Sequence, residues 1–88
     1  MNWNLIVADP ARKELSRLPP HYRDRILAAL RDMADDPHSG DVARLRDIRF
    51  AWRRRVGDYR IIFDLDPAAR RITVQHIARR TSTTYRKG

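Results

Sequence analysis

Trp52-Arg53-Arg54-Arg55-Val56-Gly57-Asp58-Tyr59-Arg60-Ile61-Ile62-Phe63 is the stretch that decides the architecture of this 88-residue chain. Two strand-like runs, 50–56 and 59–65, flank Gly57-Asp58. A glycine at the first central position of a two-residue loop is the signal of a type II′ or I′ hairpin. Side chains alternate across a strand, so Arg53 and Arg55 point to one face. Arg54 has the opposite parity, which turns it to the rim of the other face or to solvent. Arg60 lies across the turn from Arg55.

Working outward, Asp66-Pro67-Ala68-Ala69 makes the next turn and 71–78 reads as a third strand. Its alternation sets Ile72, Val74 and His76 on one face and Thr73, Gln75 and Ile77 on the other. That parity makes His76 a buried or helix-side histidine, dispensable to any chemistry at the arginines. Upstream, residues 38–49 read as a polar connection. Residues 20–36 carry Tyr22, Ile26, Ala29, Leu30 and Met33 on one stripe, an amphipathic helix closed by Pro37 and Gly40. A first helix runs over about 9–18, with Asp9 as its N-cap, Pro10 at its first helical position and Pro19-Pro20 as its break. Residues 3–8 alternate Trp3, Leu5 and Val7 as a strand. The predicted fold class is α+β, with the order β-α-α-β-β-β: a helical hairpin on one face of a small antiparallel sheet, the other face left to the arginines. A chain of this size buries roughly two-thirds of its unfolded surface, and residues 1–88 are expected to form a single domain.

Charge gives the first indication of a partner. Nineteen Lys and Arg against eleven Asp and Glu leave a net +8. Residues 44–88 hold thirteen basic and four acidic side chains, so this half carries the whole excess. Seventeen of the nineteen basic residues are arginine, whose planar guanidinium grips phosphate in a bidentate way and stacks on bases. An anionic partner, nucleic acid first, is expected. Trp52, Tyr59 and Tyr85 are the aromatic candidates for stacking a base, although packing suits Tyr59 better. His21 and His38 sit at helix ends, and no histidine pair has metal-ligand spacing. No metal or other cofactor is expected. With no cysteine, no long apolar run and no signal-like N-terminus, a cytoplasmic protein without membrane contact is expected.

The quoted stretch resembles the core signature of the RelE/ParE toxin superfamily of bacterial toxin–antitoxin systems. Ala11-Arg12-Lys13-Glu14-Leu15 with Leu18-Pro19 is similar to the family's first helix and its break. Asp36-Pro37 with Leu45, and Ile77-Ala78-Arg79-Arg80 with Tyr85, are similar to its later segments. The resemblance implies a RelE-like fold and a ribosome-dependent mRNA endonuclease that blocks translation. In that activity a 2′-hydroxyl attacks the adjacent phosphate to leave a 2′,3′-cyclic phosphate. It implies catalytic roles for Arg55, Arg60, Arg80 and Tyr85. Arg60 would stabilise the phosphorane, Arg80 would neutralise or protonate the leaving oxygen, and Tyr85 would orient the 2′-hydroxyl or stack. Arg53, Arg54, Arg79 and Arg86 would hold RNA or the ribosome. It also implies an acidic cognate antitoxin, with operator DNA bound only through that partner. Two alternatives share the fold: the ParE branch, which poisons DNA gyrase, and a non-catalytic basic RNA-binding module. A guanidinium does not deprotonate near neutral pH, so the sequence offers the basic face no evident proton acceptor.

Overall fold

A computed structural model describes residues 2–45 and 51–79. The elements are β1 (Asn4–Val7), α1 (Asp9–Ser16), α2 (Pro20–Asp35), β2 (Asp41–Arg44), β3 (Ala51–Val56), β4 (Tyr59–Asp66) and β5 (Arg71–Arg79). The five strands form one sheet in the order β1-β5-β4-β3-β2. β2, β3, β4 and β5 pair antiparallel in sequence, whereas β1 pairs parallel with β5. The α+β class and the helical hairpin on one face match the sequence reading. The sheet itself is mixed rather than antiparallel, because β1 reaches it from the far side of the two helices.

The helix-facing side is apolar by construction. Tyr59, Ile61 and Phe63 of β4 and Ile72, Val74 and Ile77 of β5 are buried with Ile26, Ala29, Leu30 and Met33 of α2 and Ala11 of α1. Burying each large side chain is worth about 1.5–3 kcal/mol. Tyr59 is part of this core, its ring centroid 5.1 Å from that of Tyr22. The first helix begins differently from expectation. Ala8, extended at its backbone, is the N-cap and offers no side-chain bond. Asp9 is instead the first helical residue and pairs with Arg12. Gly57 turns the β3–β4 hairpin at φ +58, and Asp58 is not among the positive-φ residues, as a type II′ turn requires.

Two features depart from the expected strands. β2 occupies part of the segment read as a polar connection and pairs with β3, Asp41 opposite Arg55 and Ala43 opposite Arg53. β5 carries a bulge. Ile62 faces His76 while Phe63 faces Val74, so Gln75 has no partner across the ladder. The extra residue inverts the alternation, and Val74 and Ile77 both reach the core, at 0% and 3% exposure. His76 is therefore not buried with Ile72 and Val74. Its side chain is 55% exposed.

Candidate nucleic-acid interface

The ladder places the arginines of the hairpin. Arg55 lies directly opposite Arg60, and Arg53 opposite Ile62. These four share the face away from Tyr59, Ile61 and Phe63, which carries no helix among the described residues. Asp41 on β2 stands beside them. Its Oδ1 accepts from Arg53 Nη1 at 3.2 Å, and its Oδ2 is 3.9 Å from Arg55 Nη1. This carboxylate was missed in the sequence because β2 was not expected there, and only pairing with β3 brings it to the basic face.

Arg55 and Arg60 face each other without a carboxylate between them among the described residues. Like charges opposite one another on an antiparallel pair oppose folding by a few tenths of a kcal/mol to about 1 kcal/mol. The Nε atoms of both are buried and lack a hydrogen-bond partner among the described residues. A phosphate between the two guanidiniums would relieve the repulsion and receive charge-assisted hydrogen bonds. The pair thus offers more to an anionic ligand than to its own fold.

Arg54 belongs elsewhere. It lies opposite Ile61 and Val42, on the helix side. Its Nη1 donates to the Ala29 carbonyl at 3.3 Å and to Ser39 Oγ at 3.2 Å. Its Nη2 stands 3.8 Å from Asp32, and the side chain is only 12% exposed. The expected RNA contact is corrected to a tether between β3 and the end of α2. Gly40 makes room for it: at φ +76, a Cβ there would stand 2.8 Å from the guanidinium carbon of Arg54. Arg79 is opposite Tyr59 by register, so it does not join Arg53, Arg55 and Arg60 on their face. Arg80, Tyr85 and Arg86 lie outside the described residues.

Trp52 is also on the helix side, opposite Phe63. It meets the His38 ring edge-on at 5.1 Å and the Arg44 guanidinium at 5.9 Å. These residues line a notch of about 350 Å³ with Leu65 and Pro67. A base bound at Arg55 and Arg60 would have the sheet between itself and Trp52. Among the described residues, no three His, Asp or Glu side chains cluster as metal ligands. No described helix is long and apolar enough to cross a membrane.

Two helices on one face of a five-stranded mixed sheet is the fold of solved RelE toxins. The RelBE2 toxin–antitoxin complex of Mycobacterium tuberculosis aligns with 91% of this chain and 100% of its own at TM-score 0.81 and 20% identity. The RelE–RelB complex of the archaeon Pyrococcus horikoshii OT3 aligns with 93% of this chain and 99% of its own, again at TM-score 0.81, with 23% identity. The isolated Escherichia coli RelE toxin aligns with 97% and 93% at TM-score 0.77 and 17% identity. In sequence, Toxin RelE of M. tuberculosis is 29% identical over 89 residues, covering 96% of this chain and 87% of that protein. The family model of the ParE toxin of type II toxin–antitoxin systems, parDE, matches residues 5–83. The chain belongs to this RelE/ParE family and is the toxin of a type II toxin–antitoxin system.

Proposed function

We propose that this toxin is a ribosome-dependent mRNA endonuclease that stops translation. The observation that carries the reading is the opposed Arg55–Arg60 pair on the face that carries no helix among the described residues. Attack of a 2′-hydroxyl on the adjacent phosphate passes through a phosphorane that gains negative charge. Preorganised guanidiniums stabilise that charge more than the ground state, which accelerates the step. Arg60 takes this role with Arg55 beside it, and Arg53, anchored by Asp41, grips the neighbouring backbone. Arg80 neutralises the leaving oxygen and Tyr85 orients the 2′-hydroxyl or stacks on a base. Arg79 and Arg86 hold ribosomal RNA. The ribosome supplies substrate alignment.

The structural neighbours from M. tuberculosis and P. horikoshii are complexes with RelB. By that likeness this chain takes an acidic antitoxin across its basic half, and the pair binds operator DNA through the antitoxin. Work on the ribosome places the toxin in the cytoplasm. A second reading, a gyrase poison, is favoured by the family model, which is that of ParE. Mapping mRNA ends in a reconstituted translation system, alongside gyrase cleavage assays on plasmid DNA, separates the two. Ribosome-dependent cuts with intact gyrase activity support the endonuclease. Gyrase–DNA cleavage complexes with intact mRNA support the poison. Neither outcome leaves a basic RNA-binding module.

A further inference from the structure

We propose that His76, positioned by Glu14, is the proton acceptor of the basic face, an inference that rests on the endonuclease reading. The bulge in β5 makes it available. With Gln75 unpaired in the ladder, both Gln75 and His76 turn away from the core that holds Val74 and Ile77. Gln75 confirms the direction, since its Nε2 donates to Asp64 Oδ2 on β4 at 2.9 Å. His76 faces Ile62, and Arg60 faces Ala78 two residues further along the same ladder. His76 and Arg60 are therefore diagonal neighbours, on the order of 7–8 Å apart at the backbone. A phosphodiester at Arg60 and its adjacent 2′-hydroxyl span that gap.

Glu14 stands beside the imidazole. β1 covers only Arg71–Val74 of the β5 edge, which leaves the Ile77 N–H facing α1. Glu14 Oε1 accepts that N–H at 2.8 Å and stands 3.5 Å from His76 Nδ1. With Nδ1 turned to this carboxylate, Nε2 is the ring nitrogen left to accept a proton from RNA. The other carboxylates near the face are engaged: Asp41 by Arg53 and Arg55, Asp64 by Gln75. Among the described residues, the charged groups around His76 are Glu14 from α1 and Arg60 and Asp64 from β4, with Arg79 further along β5 on the opposite face.

The step balances within the RNA. The 2′-hydroxyl proton passes to His76 Nε2 as the 2′-oxygen bonds to phosphorus. The bond from phosphorus to the 5′-oxygen breaks, and that oxygen takes a proton from water. The imidazolium then returns its proton to solvent. The products are a 2′,3′-cyclic phosphate and a 5′-hydroxyl.

The test is single-turnover cleavage of ribosome-bound mRNA from mildly acidic to mildly alkaline pH, with binding and melting followed in parallel. The wild-type rate should fall as pH drops through the imidazole's titration. His76→Gln should lose about 10²–10⁴-fold in rate together with that acid limb, while keeping ribosome affinity and melting temperature. Added imidazole should restore part of the rate to His76→Ala. Glu14→Gln should slow cleavage while ribosome affinity is kept, because the imidazole loses its neighbouring carboxylate. Cleavage by a folded His76→Gln within about threefold of wild type and with the wild-type profile overturns this inference alone. A wild type that does not cut at all overturns the endonuclease reading and the inference with it.

Discussion

Arg54→Ala separates the tether from the chemistry within three consecutive arginines. Arg54 donates two hydrogen bonds across elements, to the Ala29 carbonyl at 3.3 Å and Ser39 Oγ at 3.2 Å. Each contributes about 1 kcal/mol net. The Asp32 contact adds little, since it is 3.8 Å long and Asp32 is 65% exposed. Loss of the aliphatic stem of this largely buried side chain adds roughly 0.5–1 kcal/mol. The expected cost is about 2–3 kcal/mol, a fall in melting temperature of roughly 10–20 °C for a domain of this size. Urea denaturation followed by circular dichroism measures it, and the same sample cooled well below its midpoint should cut mRNA at the wild-type rate per folded molecule. A change below about 0.5 kcal/mol with cleavage abolished would return Arg54 to the RNA-binding face and defeat the register argument.

Three further outcomes follow from the same contacts. Gly40→Ala should destabilise by about 1–3 kcal/mol, because it combines positive φ with a clash against the guanidinium. The clash share of that cost should vanish in the Arg54→Ala background while the φ strain remains, giving a coupling of about 0.5–1.5 kcal/mol in a double-mutant cycle. Glu14→Ala should cost about 1–3 kcal/mol by stranding the Ile77 N–H. Hydrogen exchange at that amide should accelerate well before exchange at Ile61 or Phe63. Binding to single-stranded RNA should weaken with salt at a log–log slope of about −2 if Arg53, Arg55 and Arg60 each meet one phosphate. Each Arg→Ala variant at these three positions should lower the slope by about 0.7, whereas Arg54→Ala should leave it unchanged.

Local signals made much of this molecule legible. The α2 stripe, the Pro19-Pro20 break and the Gly57-Asp58 turn each act through a few neighbouring residues, and the corresponding elements fall within one or two residues of expectation. Parity alone assigned Arg53 and Arg55 to one face and Arg54 to the other. What escaped is what other parts of the chain decide. Asp41–Arg44 has no alternation of its own, and it is a strand because β3 offers it an edge. The parallel pairing of β1 with β5 joins residues almost seventy positions apart, Asn4 with Arg71. The bulge defeated period-two counting, although the three-residue step from Val74 to Ile77 was its trace in the sequence. That one extra residue converted His76 from an apparent core residue into an exposed one. On the proposal above, it also supplies the proton acceptor that the arginines lack.

The endonuclease account stands on the opposed Arg55–Arg60 pair. The decisive measurement is the rate at which purified toxin cuts mRNA on programmed ribosomes, compared between wild type and Arg60→Ala. The account expects ribosome-dependent cuts bearing cyclic phosphate ends, slowed about 10²–10³-fold in Arg60→Ala. It also expects folding stability to be unchanged or slightly raised, as the repulsion with Arg55 is relieved. Cutting at the wild-type rate by Arg60→Ala, or a loss of cutting that tracks a loss of folding, would contradict it.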